Sequence, residues 1–136
     1  MDMPILGGDT WEAPEFIEIG GSAVEGAVFS THFTAEAPVT EKSTVFLDEY
    51  KAKYNKEANA FAALGYDAYM AILDAIERGN STDPKDIRDK LAETVDFVGA
   101  TGNITLDENG DAVKSAVIKK AEGDKFVYLT TVEPQK

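Results

Sequence analysis

The sequence has 136 residues and no cysteine, so it is long enough for one modest domain and excludes disulfides and zinc–thiolate sites. Its 13 basic and 25 acidic residues give a net charge of −12, which argues against a nucleic-acid partner and an anionic membrane surface, because phosphates require a basic footprint. No run of about 18 apolar residues is present, so no membrane-spanning segment is expected.

The first part of the chain predicts a strand, a helix and a second strand. Residues 3–6 are mainly apolar and end at two glycines, as a short strand does. Residues 10–19 predict a helix, because four apolar side chains precede a second pair of glycines that stops it. Residues 27–33 predict the second strand.

The middle of the chain predicts three consecutive helices. Thr40 is a suitable N-cap for a helix that runs to about residue 55. Asp83 and Pro84 begin the third helix, since Asp caps well and Pro fits the first helical position. The helix between them, residues 60–78, has the strongest pattern, and its predicted buried stripe is Phe61, Leu64, Ala68, Ile72, Ala75 and Ile76.

The last part predicts three strands, at residues 103–106, 112–120 and 126–132, with a tight turn at residues 122–124 between the last two. The order of elements indicates an α/β fold. It does not build a self-sufficient doubly wound sheet, because the helical middle has almost no strand of its own to cover.

No motif for catalysis or metal binding is complete in the sequence. Residues 107–111 begin like a calcium loop, but Ala112 and Ile118 stand where that loop needs a glycine and a bidentate glutamate, so a turn between strands fits better. His32 is the only histidine and has no triad partners, which indicates a surface or hinge residue. No dinucleotide, phosphate or metalloprotease motif is present. The sequence therefore predicts no enzyme, cofactor or metal.

A few residues have both a structural and a ligand-binding interpretation. Asp9 follows two glycines at a strand end, where it either caps the next helix or directs a carboxylate into a crevice. The aromatic residues either pack in the core or form a wall for an apolar ligand. They are Trp11, Phe61, Tyr66 and Tyr69.

Four segments, in order and at suitable spacing, resemble the type I periplasmic binding proteins for branched-chain amino acids. They are PILGGDTW at 4–11, AVEGAVFS at 23–30, AFAALGYDA at 60–68 and GNITLDENGD at 102–111. The resemblance implies a two-lobed clamp that binds a free amino acid and delivers it to the permease subunits of an ABC transporter. It implies an extracytoplasmic location, in the periplasm or as a cell-surface lipoprotein of a Gram-positive bacterium.

The resemblance also implies that the chain is a C-terminal segment, without about the first two-thirds of the family's chain. Residues 1–30 and 103–136 would be C-terminal-lobe elements, and residues 34–98 would be helices of the N-terminal lobe. The chain would cross between lobes near residues 30–33 and 99–102. Without the missing N-terminal segment, we expect the chain to lack binding activity and to self-associate.

The ligand-binding residues that the resemblance implies are Asp9, Trp11, Phe61 and Tyr66. Asp9 stands where the family holds the ligand's α-ammonium with an acidic residue, although many relatives have a longer glutamate there. Phe61 and Tyr66 stand where the family makes apolar contacts. An alternative function is a ligand-sensing domain of a receptor or regulator that uses the same clamp.

Overall fold

The computed structural model describes residues 3–134. It contains four helices, α1 Pro14–Gly20, α2 Glu41–Tyr54, α3 Ala60–Gly79 and α4 Pro84–Ala92. The seven strands are β1 Leu6–Gly7, β2 Val28–Thr31, β3 Phe97–Gly99, β4 Gly102–Leu106, β5 Ala112–Val113, β6 Ala116–Glu122 and β7 Lys125–Val132. The predicted α/β class is confirmed.

Local capping chemistry determines where most helices begin. The hydroxyl of Thr40 accepts a hydrogen bond from the backbone N–H of Ser43, and Ser43 reciprocates, so α2 begins with a capping box. The carboxylate of Asp83 accepts the N–H of Lys85 at the start of α4. The first helix begins later than predicted, because Ala13 precedes a proline and is held in an extended conformation.

The larger sheet has the strand order β1-β2-β6-β7. β1 and β2 run parallel, with Gly7 opposite Phe29, and the other neighbours are antiparallel. Because β1 and β2 are parallel, their carboxyl ends meet at one edge of the sheet. The residues that follow these strands, Asp9 and His32, are thus brought to the same edge.

The second sheet has the order β3-β4-β5 and includes a strand, β3, that the sequence did not predict. The strand predicted at 112–120 is divided at residues 114–115, so that β5 lies in this sheet and β6 in the larger one. β4 and β5 thus pair with β3, and within residues 103–134 the strands that pair with the elements of residues 1–30 are β6 and β7. The chain enters the larger sheet again after residues 114–115.

The main core joins the helices to the segment that follows β2. Phe33 and Phe46 pack edge to face with ring centroids 6.0 Å apart, and small residues of α3 close the cluster. The stripe predicted for α3 is partly wrong, because Phe61 and Ile72 are 48% and 42% exposed. The buried face of α3 consists of Ala60, Ala63, Asp67 and Ala75.

Within residues 3–134, no helix combines the length and the apolar character that crossing a membrane requires.

Candidate functional site

Asp9 lies on a short 3-10 turn, Asp9–Trp11, which Gly8 separates from β1. Gly7 makes this turn possible, because a Cβ atom there would lie 2.5 Å from the Trp11 ring. The ring of Trp11 in turn stacks on Phe16 of α1, with centroids 4.8 Å apart. The helix α1 begins at Pro14, and no side chain forms a capping hydrogen bond at its start. The interpretation of Asp9 as the cap of this helix is therefore wrong.

A buried ion pair fixes the far end of this turn to the larger sheet. The carboxylate of Glu12 accepts hydrogen bonds from Lys119 Nζ on β6 and from the Thr31 hydroxyl on β2. Only 9% of the Glu12 side chain and 11% of the Lys119 side chain are exposed. Because the two charges neutralise each other and Thr31 occupies a further lone pair, the pair can remain in a low-dielectric site. The turn that carries Asp9 thus has a rigid base.

The carboxylate of Asp9 faces His32, with 3.3 Å between Oδ2 and Nε2. About two-fifths of each side chain is exposed, 42% for Asp9 and 39% for His32. His32 immediately follows β2 and precedes the buried Phe33, so it lies where the chain leaves the larger sheet. The sequence interpretation of His32 as a surface or hinge residue did not anticipate this partner.

The two aromatic candidates on α3 lie in different surroundings. Tyr66 packs on Phe46, with ring centroids 5.0 Å apart, and so belongs to the cluster that contains Phe33. Phe61 is half-exposed near the start of the helix. Among the described residues, the aromatic partner of Trp11 is Phe16, not a residue of α3. The structure therefore does not bring Trp11, Phe61 and Tyr66 into one wall.

A second buried carboxylate organises the loop between β3 and β4. Asp67 accepts hydrogen bonds from the backbone N–H groups of Ala100 at 2.6 Å and Thr101 at 2.8 Å, and from the Thr101 hydroxyl at 2.7 Å. Lys114 donates to the same hydroxyl. Burial lowers the pKa of Lys114 to about 8, although the nearby Asp67 acts in the opposite direction. This network lies where the chain returns to the larger sheet.

The segment first compared with a calcium loop is a hydrogen-bonded turn. Oδ1 of Asp107 accepts the N–H groups of Asn109 at 2.9 Å and Asp111 at 2.8 Å. These backbone hydrogen bonds, the one from Asp111 first, lower the pKa of Asp107. Gly110 has φ +84°, which a left-handed turn position requires. The carboxylate of Asp107 therefore stabilises the turn itself.

Sequence reasoning missed Glu12 and the pairing of His32 with Asp9. Glu12 lies one residue past the turn and resembles any surface glutamate in the sequence. Its partner Lys119 is 107 positions away, in a strand whose alternation indicated which side chains face inward but not which ones pair. The pairing of His32 with Asp9 could have been inferred only from β1 and β2 lying side by side, with their carboxyl ends at one edge of the sheet.

Comparisons with known proteins give a consistent result. A family model described as a periplasmic binding protein matches residues 2–125. The Leu/Ile/Val-binding protein BraC3 of Rhizobium johnstonii is 30% identical over 125 residues, which are 90% of this chain and 33% of the relative.

Solved structures agree with this match. The leucine binding protein LivK of Thermotoga maritima is 46% identical with a TM-score of 0.90, over 98% of this chain and 38% of that one. The branched-chain amino acid transporter substrate binding protein LivJ of Streptococcus pneumoniae, in complex with isoleucine, is 34% identical with a TM-score of 0.82 and the same coverage. The chain thus spans little more than a third of the length of these structures.

Proposed function

Because the chain belongs to the periplasmic binding protein family, we propose that it forms part of a two-lobed solute-binding protein that delivers a free amino acid to an ABC transporter. Its relatives are substrate-binding proteins rather than enzymes. The observation that carries the proposal is the half-exposed carboxylate of Asp9, held at the carboxyl end of β1 on a turn anchored by Glu12. This is the edge where open α/β sheets bind ligands.

Asp9 holds the α-ammonium of the amino acid in this proposal. An ammonium–carboxylate contact becomes strong when closure of the clamp removes water from it. Trp11 is next to this group on the same turn. Phe61 and Tyr66 supply apolar surface from α3, in keeping with a branched-chain or similar ligand.

Two bodies meet at the site in this proposal. One contains the larger sheet with α1, and the other contains α2, α3, α4 and the sheet β3-β4-β5. We assign the first to the C-terminal lobe and the second to the N-terminal lobe. The two connections between them are the segment after β2, which contains His32 and Phe33, and residues 114–115.

The remaining part of the protein is a required partner in this proposal, since it supplies the groups for the ligand's carboxylate. Exposed apolar side chains support a missing neighbour. Leu6 on the outer strand of the larger sheet is 73% exposed, and Tyr69 on α3 is 62% exposed. Without that neighbour, the chain binds no amino acid usefully and covers these surfaces by association with a second copy.

The location that follows is extracytoplasmic, either in the periplasm or on the cell surface as a lipoprotein of a Gram-positive bacterium. There the loaded protein meets the permease subunits of its transporter. The acidic net charge of −12 suits a well-solvated carrier.

The test is a leucine titration, followed by calorimetry, of a complete two-lobed protein. This protein is a chimera in which the chain replaces the matching 38% of the Thermotoga maritima protein. Asp9→Ala is expected to weaken binding by about 2–4 kcal/mol, because it leaves the ligand's ammonium without its counter-charge. Glu18→Ala, which removes an exposed carboxylate from α1, is the matched control and should leave the affinity unchanged.

The isolated chain is titrated in parallel with leucine, valine, alanine and glutamate, and no saturable heat is expected. Micromolar binding by a monomer of this chain would show that the site is complete without the second part. Unchanged leucine affinity of the chimera after Asp9→Ala would contradict the role of Asp9.

A further inference from the structure

In the described part of the chain, the basic side chain that faces the carboxylate of Asp9 is His32. The distance of 3.3 Å between Nε2 of His32 and Oδ2 of Asp9 is that of an ion pair when the imidazole is protonated. The pair is built by the fold, because parallel β1 and β2 end side by side, with Asp9 two residues after β1 and His32 directly after β2. Both side chains retain contact with solvent, so either can change partner.

Two other charged groups, one after β1 and one before β6, have partners elsewhere. Glu12, three residues after Asp9, binds Lys119 from β6 and the Thr31 hydroxyl. Lys114, at the second connection, donates to the Thr101 hydroxyl beside Asp67. Among residues 3–134, the basic group recorded within 4 Å of the Asp9 carboxylate is His32, and it competes for that carboxylate.

We infer that His32 is a functional part of the amino acid site: it occupies the carboxylate of Asp9 in the empty protein and must be displaced by the ligand's ammonium. This inference rests on the role proposed for Asp9. The imidazole of His32 and the ligand's ammonium cannot both take the same carboxylate oxygens at full strength, so the ligand binds against a competitor that is tethered in place.

The competition depends on pH with a definite sign. Histidine side chains gain a positive charge as the pH falls from 8 to 5, whereas aspartate side chains and the ammonium of a free amino acid stay charged over that range. Protonated His32 binds Asp9 more strongly than neutral His32 does. Ligand affinity therefore falls as the medium becomes acidic, and the protein releases its ligand more readily there.

The test measures leucine affinity of the chimera at pH 7.5 and pH 5.5. A partly exposed ion pair contributes a modest free energy, so the dissociation constant is expected to rise about two- to fivefold at the lower pH. His32→Gln keeps a hydrogen-bonding side chain of similar reach but cannot acquire a charge. Its dissociation constant should be about equal at the two pH values and lower than that of the parent chimera at pH 5.5.

Asp9→Asn separates this inference from the proposed function. If Asp9→Asn abolishes leucine binding but the parent and His32→Gln share one pH dependence, the role of His32 is wrong and that of Asp9 stands. If the folded chimera binds no leucine at either pH, or if Asp9→Asn binds as well as the parent, the proposed function fails and the inference fails with it.

A measurement on the 136-residue chain itself covers the case in which the chimera does not fold. Thermal unfolding at pH 5.5 is compared for the parent, Asp9→Asn, His32→Gln and the double variant. A coupling of about 1–2 °C in Tm at pH 5.5 that disappears at pH 7.5 supports the ion pair on which the inference depends. Additive effects at both pH values overturn it.

Discussion

Gly99 and Asp67 approach so closely that a methyl group on Gly99 would lie 2.5 Å from Oδ2 of Asp67. The two residues are close because Asp67 is buried, with 2% of its surface exposed, and its carboxylate reaches past Gly99 to the N–H groups of Ala100 and Thr101. The backbone of the loop is held from the other side as well. Thr40 and Ser43 at the start of α2 donate to the carbonyl groups of Gly99 and Ala100.

Gly99→Ala is expected to destabilise the chain by about 1–3 kcal/mol, because the added methyl group overlaps a carboxylate that has no room to move. Urea unfolding followed by circular dichroism measures the change. Gly65→Ala is the matched control. Gly65 lies within α3 with nothing inside 4 Å of an added Cβ, so alanine there should stabilise the helix by about 0.5–1 kcal/mol. Equal effects of the two substitutions would contradict the packing of the loop.

Glu12→Gln is expected to cost about 3–5 kcal/mol of unfolding free energy, because it leaves the charge of Lys119 buried without its partner. Adding Lys119→Met should restore most of the loss, and urea unfolding of the single and double variants measures both effects. Glu122→Gln provides the comparison, since its pair with Lys120 is partly exposed and should contribute about 0–1 kcal/mol. A similarly small effect of Glu12→Gln would show that the pair is well hydrated in solution.

Lys114 should make the stability of the chain depend on pH in the alkaline range. Its pKa of about 8 in the folded state lies below the ordinary lysine value of 10.5, so the unfolded chain binds more protons between these values. The unfolding free energy therefore rises as the pH increases through this window. Allowing for screening of a partly exposed group, we expect a rise of about 1–2 kcal/mol relative to Lys114→Met.

The measurement is urea unfolding of both proteins at pH 7 and pH 10. The difference between them isolates Lys114 from the exposed lysines that also titrate at high pH. Lys56→Met, which replaces an exposed lysine, should show the same pH dependence as the parent chain. Parallel curves for the parent and Lys114→Met would contradict the lowered pKa.

The exposed apolar face of α3 should control the association of the isolated chain. Replacing Tyr69 and Ile72 together by lysine is expected to shift the sedimenting species from oligomer to monomer, because each apolar side chain buried in an interface contributes up to about 1.5–3 kcal/mol. Val45→Lys introduces the same charge at an exposed apolar position of α2 and should leave the oligomer intact. A monomeric parent chain at micromolar concentration would exclude this association.

The starts of α2 and α4 could be predicted from the sequence because capping is a local interaction. Thr40 and Asp83 contact backbone groups only two or three residues away, and the structure has both caps. The buried face of α3 was harder to predict. Its apolar pattern predicted burial of Phe61 and Ile72, which are exposed in the structure, because the pattern does not show which face of the helix meets the rest of the chain.

The candidate site also has a local part that could be predicted from the sequence and a long-range part that could not. Asp9 could be selected from its place after two glycines at a strand end, which is a property of a few adjacent residues. The contacts with His32 and the anchoring of Glu12 depend on how distant strands are ordered in the sheet. The short β3 was missed because only three residues form it, and its pairing with β4 is what makes it a strand.

The pairing of β2 with β6 has a consequence for the order of events in folding. Val28 lies opposite Lys120, and the whole helical segment separates them in the chain. Contacts between such distant residues form late, because closing a long loop costs entropy that helices and hairpins avoid. β6 and β7 pair as a hairpin, but β2 can pair with β6 only after the long loop between them has closed. During synthesis on a ribosome, the first 31 residues therefore emerge well before the strand that completes their sheet.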